Sequence, residues 1–178
     1  ECDQWNEPAY LEVFDAAYTW KWMHATQEYF QRTFPLHTLV DTLYGYNGLS
    51  PKHAIRAWFT SNHDENSWNG TEYEKYGDAA KVLAVFSCTW NGIPLIYSGQ
   101  ELPNMKRLKF FDKDVIDWKG KPELHEFYKV LLKLGAHHPA TRSGTSDQPV
   151  IIPTHADQYV FAFIRRHGKK EILVLLNL

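Results

Sequence analysis

The chain has 178 residues, 44% of them hydrophobic and 15% aromatic, which is enough for one well-buried core with room for a small second unit. Its net charge is −2 and its basic residues are scattered, so nothing in the sequence points to a polyanion and the balance argues against nucleic acid as a partner. No apolar run reaches membrane-spanning length.

The chain opens at Glu1 without an initiator methionine, which leads us to expect a longer parent. The two cysteines, Cys2 and Cys88, show neither a disulfide framework nor a zinc-site spacing. Cys88 lies in an apolar run and reads as a buried free thiol. Most of the seven tryptophans are expected in packing roles, and they favour a ring-binding surface only weakly.

Taken in chain order, Leu11–Tyr18 fits either a strand or a helix on propensity. Trp20–Gln31 reads as a helix with Trp22, Ala25, Tyr29 and Phe30 among its apolar positions. Leu36–Tyr44 is a second helix, with Leu36, Leu39, Val40, Leu43 and Tyr44 on one face. Gly45, Asn47, Gly48 and Pro51 are expected to break it. Ala54–Thr60 reads as a buried strand, since Ile55, Ala57, Trp58 and Phe59 suit a strand better than a helix. It stops in the polar cluster Asn62-His63-Asp64-Glu65-Asn66. A strand that ends in ionisable groups is how a parallel α/β barrel presents an active site.

A loop over Glu65–Gly77 follows, carrying Trp68, Tyr73 and Tyr76 as flat surfaces for a sugar ring. Asp78 is placed to cap the apolar helix Ala79–Trp90, and Asn91-Gly92 stops it. Ile93–Tyr97 is a short strand that ends in Ser98-Gly99-Gln100-Glu101. Strand, helix and strand in that order give a right-handed parallel βαβ unit. Met105–Trp118 shows no periodicity. Pro122 suits a first helical position, with Leu124, Phe127, Tyr128, Leu131 and Leu134 on one face to about Gly135. His137-His138 reads as a helix-end pair at the carbonyl end of the dipole. Val150–Ile152, Tyr159–Ile164 and Ile172–Leu176 then read as strands of a separate antiparallel unit.

Phe59-Thr60-Ser61-Asn62-His63-Asp64 resembles the strand-seven motif of the α-amylase family of glycoside hydrolases. Gly92–Glu101 resembles that family's strand-eight motif. Glu1, followed by Trp5, Pro8, Phe14, Asp15, Tyr18 and Trp20, resembles the segment after strand five, where the family's general acid lies. The resemblance implies a partial (β/α)8 TIM barrel, strands six to eight, over residues 1–142. The beginning of an antiparallel β domain would occupy residues 143–178. The motif bearing the family's nucleophilic aspartate is absent, and no residue here replaces it.

What the resemblance implies for chemistry is specific. A retaining glycosidase needs two carboxyls about 5–5.5 Å apart. Glu1 would be the acid/base, with a pKa raised by an apolar wall or a neighbouring carboxylate. Taken alone, Glu1 is a frayed terminal residue. Asp64 would hold sugar hydroxyls and stabilise the oxocarbenium-like transition state; taken alone it is a turn-capping Asp. His63 would donate to a substrate hydroxyl, against the alternative of a satisfied structural histidine. Asn62 falls among the substrate-binding residues but is better suited to shaping the turn. Trp68, with Trp20, would be a sugar platform. Glu65 should point away from Asp64, and structural roles are expected for Tyr97, Gln100 and Glu101.

The implied activity is cleavage, with retention, of α-glucosidic bonds in starch, maltodextrin or a related glucan. The chain alone is expected to be inactive. No organic cofactor is implied; some relatives bind calcium, but no EF-hand loop is present and no metal site is assigned. The expected partners are an α-glucan or maltooligosaccharide, and the missing N-terminal part of the barrel or a second copy across open sheet edges. Two other readings stay open. One is a non-catalytic amylase-like domain serving recognition or assembly; the other is a transglycosylase on the same site.

Overall fold

A computed structural model describes residues 1–3, 5–49, 54–119, 121–142 and 148–178. Three short strands, β1 (Ala16–Tyr18), β2 (Ile55–Trp58) and β3 (Ile93–Pro94), form a parallel sheet in the order β1-β2-β3. Ala16 pairs with Ile55, and Ala57 with Ile93. Asp3 adds a parallel bridge to Tyr18 on the outer side of β1. Neighbouring strands therefore follow chain order, and helices make each crossover. Helices α1 (Trp20–Phe30) and α2 (Leu36–Gly48) join β1 to β2; α3 (Glu72–Tyr76) and α4 (Ala79–Thr89) join β2 to β3. This is the winding of a parallel α/β barrel. Helix α5 (His125–His137) follows. Strands β4 (Val150–Ile152), β5 (Val160–His167) and β6 (Lys170–Asn177) then form an antiparallel sheet.

The start of α1 is capped from a distance. Thr19 precedes the helix, but its hydroxyl donates to the Ala57 carbonyl instead of capping. Buried Asp3 takes over: one carboxylate oxygen accepts from the Lys21 N–H at 2.7 Å and from the Tyr46 hydroxyl at 2.6 Å. Its other oxygen accepts from the Trp5 N–H at 2.8 Å. Burial first, and the Asp3 charge second, push the Tyr46 phenol up. One carboxylate thus ties the segment before β1 to α1 and α2.

One core lies between the parallel sheet and the antiparallel one. Trp22 stacks on Phe86 at 4.3 Å, and Trp58 meets both rings edge-on. Trp90 stacks on Phe86 and meets Phe163 of β5 edge-on at 4.8 Å. The antiparallel sheet therefore packs its Phe161 and Phe163 face onto α4. Each such ring pair adds about 0.5–1.5 kcal/mol beyond the area it buries.

Several elements differ from the sequence reading, each for a local reason. Helix α2 runs on through Gly45 because the Trp5 indole packs there; a Cβ on Gly45 would lie 2.3 Å from that ring. Pro51, the other expected breaker, lies outside the described residues. The expected loop Glu65–Gly77 holds a π-helical turn, Glu65–Asn69, and then α3. A capping box starts α3: Thr71 Oγ1 accepts from the Glu74 N–H, and Glu74 accepts from the Thr71 N–H. Asp78 makes no side-chain cap to α4. Strand β3 is only two residues long, because Pro94 brings no N–H to the ladder and Leu95 makes the last bond to the Trp58 carbonyl. Helix α5 starts at His125, with Pro122 in the turn before it, where its carbonyl accepts from the His125 N–H.

Cys2 and Cys88 are both free, and burial pushes the Cys88 thiol up to about 12. No helix among the described residues is long and apolar enough to cross a membrane.

Candidate active site

Beyond β2 the backbone stays buried through Phe59, Thr60 and Ser61 before it turns outward at His63 and Asp64. Asn62 makes the turn. Its side-chain oxygen accepts from the Glu65 N–H at 2.8 Å and its carbonyl from the Asn66 N–H at 2.9 Å. Asn62 is 1% exposed. As placed here its side chain shapes the turn.

His63 Nε2 lies 3.3 Å from Glu1 Oε1 and 3.7 Å from Asp64 Oδ1. Glu1 and His63 are about half exposed, and Asp64 less so. Residues sixty-odd positions apart thus meet beyond the C-terminal ends of the parallel strands, Glu1 from the segment that bridges to the outer side of β1 and His63 from the turn after β2. Tyr18, at the end of β1, lies beneath them. Its phenol is pushed up first by burial, then by the charges of Glu1 and Asp64. Trp20 donates from Nε1 to the Glu1 carbonyl at 2.9 Å and packs edge-on against Phe59. That contact fixes Trp20 as a support for Glu1.

The corner after β3 sits at the same end of the sheet. Gln100 Nε2 donates to Thr60 Oγ1 at 2.9 Å and to Glu72 Oε2 at 2.5 Å, and its Oε1 accepts from the Tyr97 N–H at 2.6 Å. Thr60 also donates to Glu72 at 2.7 Å. Burial raises the Glu72 pKa, and the bonds from Thr60 and Gln100 oppose that rise. Glu101 accepts from the Gly99 N–H. Gln100 is therefore a buried hub that locks the two strand ends, not a substrate group.

Glu65 turns inward, away from Asp64. It pairs with Lys75 at 2.9 Å and accepts from Asn69, with both ends of the ion pair buried. Desolvation pushes the Lys75 ammonium down, and the Glu65 charge opposes it.

Trp68 is 61% exposed and leans on Phe110 at 5.3 Å. The Phe110 ring in turn stacks on His63, with 5.9 Å between centroids and 18° between planes. Sequence reading passed over Phe110 and Phe111, which sit in a stretch without periodicity. The available signal was two adjacent phenylalanines in a charged run.

Among the described residues, Glu1, His63 and Asp64 form the one group with metal-ligand geometry, each offering an atom within 4.8 Å of the others. Two carboxylates and an imidazole do not fit calcium, which takes six to eight oxygens. A groove of about 1160 Å³ between the α1–α2 loop and the β4–β5 turn shares no residue with this cluster.

The fold and site define a segment of a parallel α/β barrel whose strand ends gather two carboxylates and an imidazole. No family model matches the chain. It is 31% identical over 135 residues to alpha-amylase 2 of Dictyoglomus thermophilum, covering 69% of this chain and 22% of that protein. It is 29% identical over 104 residues to a cyclomaltodextrinase of Thermoanaerobacter pseudethanolicus, covering 54% of this chain and 17% of that protein. Its fold matches a maltogenic alpha-amylase from Thermotoga neapolitana with a TM-score of 0.80 at 21% identity, over 96% of this chain and 40% of that one. The chain belongs to the α-amylase family of glycoside hydrolases, and it aligns with about a fifth of the length of the curated relatives it matches.

Proposed function

We propose that the chain supplies strands six to eight and the last helix of a (β/α)8 barrel over residues 1–142, followed by the start of an antiparallel β domain at 143–178. Residues 143–147, where the two meet, lie outside those described. In this reading the complete protein is a retaining glycoside hydrolase acting on α-glucosidic bonds of starch, maltodextrin or a related glucan. The observation that carries it is the meeting of Glu1, His63 and Asp64 at one strand-end corner. The amylase and cyclomaltodextrinase names of the relatives support the substrate class.

Each residue has a distinct task. Glu1, protonated, gives its proton to the glycosidic oxygen as the C1–O bond breaks. A nucleophilic carboxylate outside this chain takes C1 and forms a glycosyl ester. Glu1, now a carboxylate, removes a proton from water as the water oxygen displaces that ester. The Asp64 carboxylate stabilises positive charge growing on the sugar ring. His63 donates to a sugar hydroxyl. A sugar acceptor in place of water gives transglycosylation at the same residues. Without the nucleophile the chain alone turns over no substrate. Its completing partner is the N-terminal part of the barrel or, across the exposed sheet edges, a second copy. The chemistry needs no organic cofactor.

Proton NMR of the first product formed from maltoheptaose by the complete protein tests this reading. Retention gives the α-anomer. A β-anomer would rule out the double displacement, and a folded protein with no turnover would leave the recognition-domain reading in its place.

A further inference from the structure

Three aromatic rings stand in the open beside the carboxylate–imidazole cluster. Phe111 is 83% exposed and Trp68 61%. Phe110 lies 4.8 Å from Phe111, 5.3 Å from Trp68 and 5.9 Å from His63, and Trp68 meets Phe111 edge-on at 5.9 Å, so the three rings form one contiguous group. Adjacent exposed rings cost solvation, and a contiguous apolar patch marks a binding surface.

The loop that carries the two phenylalanines is pinned at several points. Buried Asn66 grips it twice, donating from Nδ2 to the Lys106 carbonyl at 3.2 Å and accepting from the Leu108 N–H at 2.7 Å. Arg107 makes a forked pair with Glu74, holding that carboxyl down to about 2. Gly70 gives this pair its room: its φ is +104°, and a Cβ there would lie 3.0 Å from the guanidinium. Asp114 closes the loop from the far side, accepting from the N–H groups of Lys109 and Val115 and from the Lys106 ammonium. Phe110 and Phe111 sit between the Lys109 and Asp114 ends of that closure. Their exposure is built into the loop.

We propose that Trp68, Phe110 and Phe111 form a sugar-stacking subsite that continues the site away from His63. Its ligand is a glucose residue of an α-glucan flanking the unit held by His63 and Asp64. The apolar face of a pyranose ring covers an aromatic face, while its hydroxyls stay at the polar edge near His63 and Asp64. Phe111 is a specificity residue here, because its ring touches nothing in the core. The inference rests on the glycosidase reading.

The test is calorimetric titration of the complete protein with a thio-linked maltopentaose, which is not hydrolysed. Phe111→Ala should weaken binding about tenfold, equivalent to about 1.4 kcal/mol, and Phe111→Tyr should restore it. Trp68→Ala should weaken binding to a similar extent. Unchanged affinity in Phe111→Ala, or no binding by the parent protein, overturns the subsite. The underlying reading fails separately: maltoheptaose turnover that survives Asp64→Asn removes the glycosidase mechanism whatever the titration shows.

Discussion

Replacing Gln100 by leucine should disrupt the lock between the strand ends. Gln100 accepts from the Tyr97 N–H and donates to Glu72, to Thr60 and, more weakly at 3.4 Å, to the Tyr128 hydroxyl. Leucine roughly fills the space but makes none of these bonds. The Tyr97 N–H loses its partner, at a cost of about 1–3 kcal/mol, and Glu72 loses one of its two donors, at about 1.5–3 kcal/mol. Proton uptake by Glu72, whose pKa burial already raises, relieves part of the second cost. The expected loss is about 3 kcal/mol, a large share of a typical domain's 5–15 kcal/mol. Urea unfolding followed by tryptophan fluorescence reads it directly. A loss below about 0.5 kcal/mol, the range of an ordinary surface change, would refute the hub. The triple variant Thr60→Val, Glu72→Leu, Gln100→Leu provides the control. Removing the three polar side chains together should recover the share of the loss that falls on Glu72, while the Tyr97 N–H stays without its partner.

Three further outcomes follow from the same packing. Glu72 has a raised pKa when folded, so its contribution is fully present below its unfolded pKa, about 4.5, and is lost as pH rises through the folded value. Glu72→Gln should therefore gain stability relative to the parent as pH goes from 4 to 7 in a series of urea titrations; a constant difference would contradict the linkage. Lys75→Met leaves the buried Glu65 carboxylate unpaired and should cost about 3–5 kcal/mol, most of it recovered by adding Glu65→Gln. Thermal melts of the single and double variants check this, and additive losses would sink it. Phe86→Ala empties the ring cluster shared by Trp22, Trp58, Trp90 and Phe163, at about 3–5 kcal/mol. Because that cluster joins the two sheets, hydrogen exchange should speed up in β5 as well as in α4; protection left intact in β5 would separate them.

The parallel strand-helix-strand unit was legible because Ala54–Thr60 is a short apolar run that stops in polar residues, and the apolar helix after it is stopped by Asn91-Gly92. The place of the polar cluster at the strand end was legible because Asn62-His63-Asp64 stands directly after a hydrophobic run. What stayed hidden depends on distant partners. Gly45 reads locally as a break, and only the Trp5 ring lying against it explains a helix that continues. Thr71 and Glu74 satisfy the capping-box spacing inside the stretch read as a loop, and their two reciprocal hydrogen bonds start α3 there. Asp78 has a capping residue's identity without its geometry. Asp3 caps a helix that starts seventeen residues later, and no local pattern encodes that. Phe110 and Phe111 belong to a loop held by Asn66, Glu74 and Asp114, so their place beside His63 emerges only once the chain is folded.

The claim on which the rest depends is that Asp64 faces the substrate and carries electrostatic weight in the transition state. Steady-state turnover of maltoheptaose by the complete protein, compared with Asp64→Asn of matching circular dichroism, measures that weight. Removing one such stabilising group costs about 10²–10³-fold in kcat, and a fall of at least that size is expected. An Asp64→Asn protein that turns over substrate as fast as its parent would contradict the account.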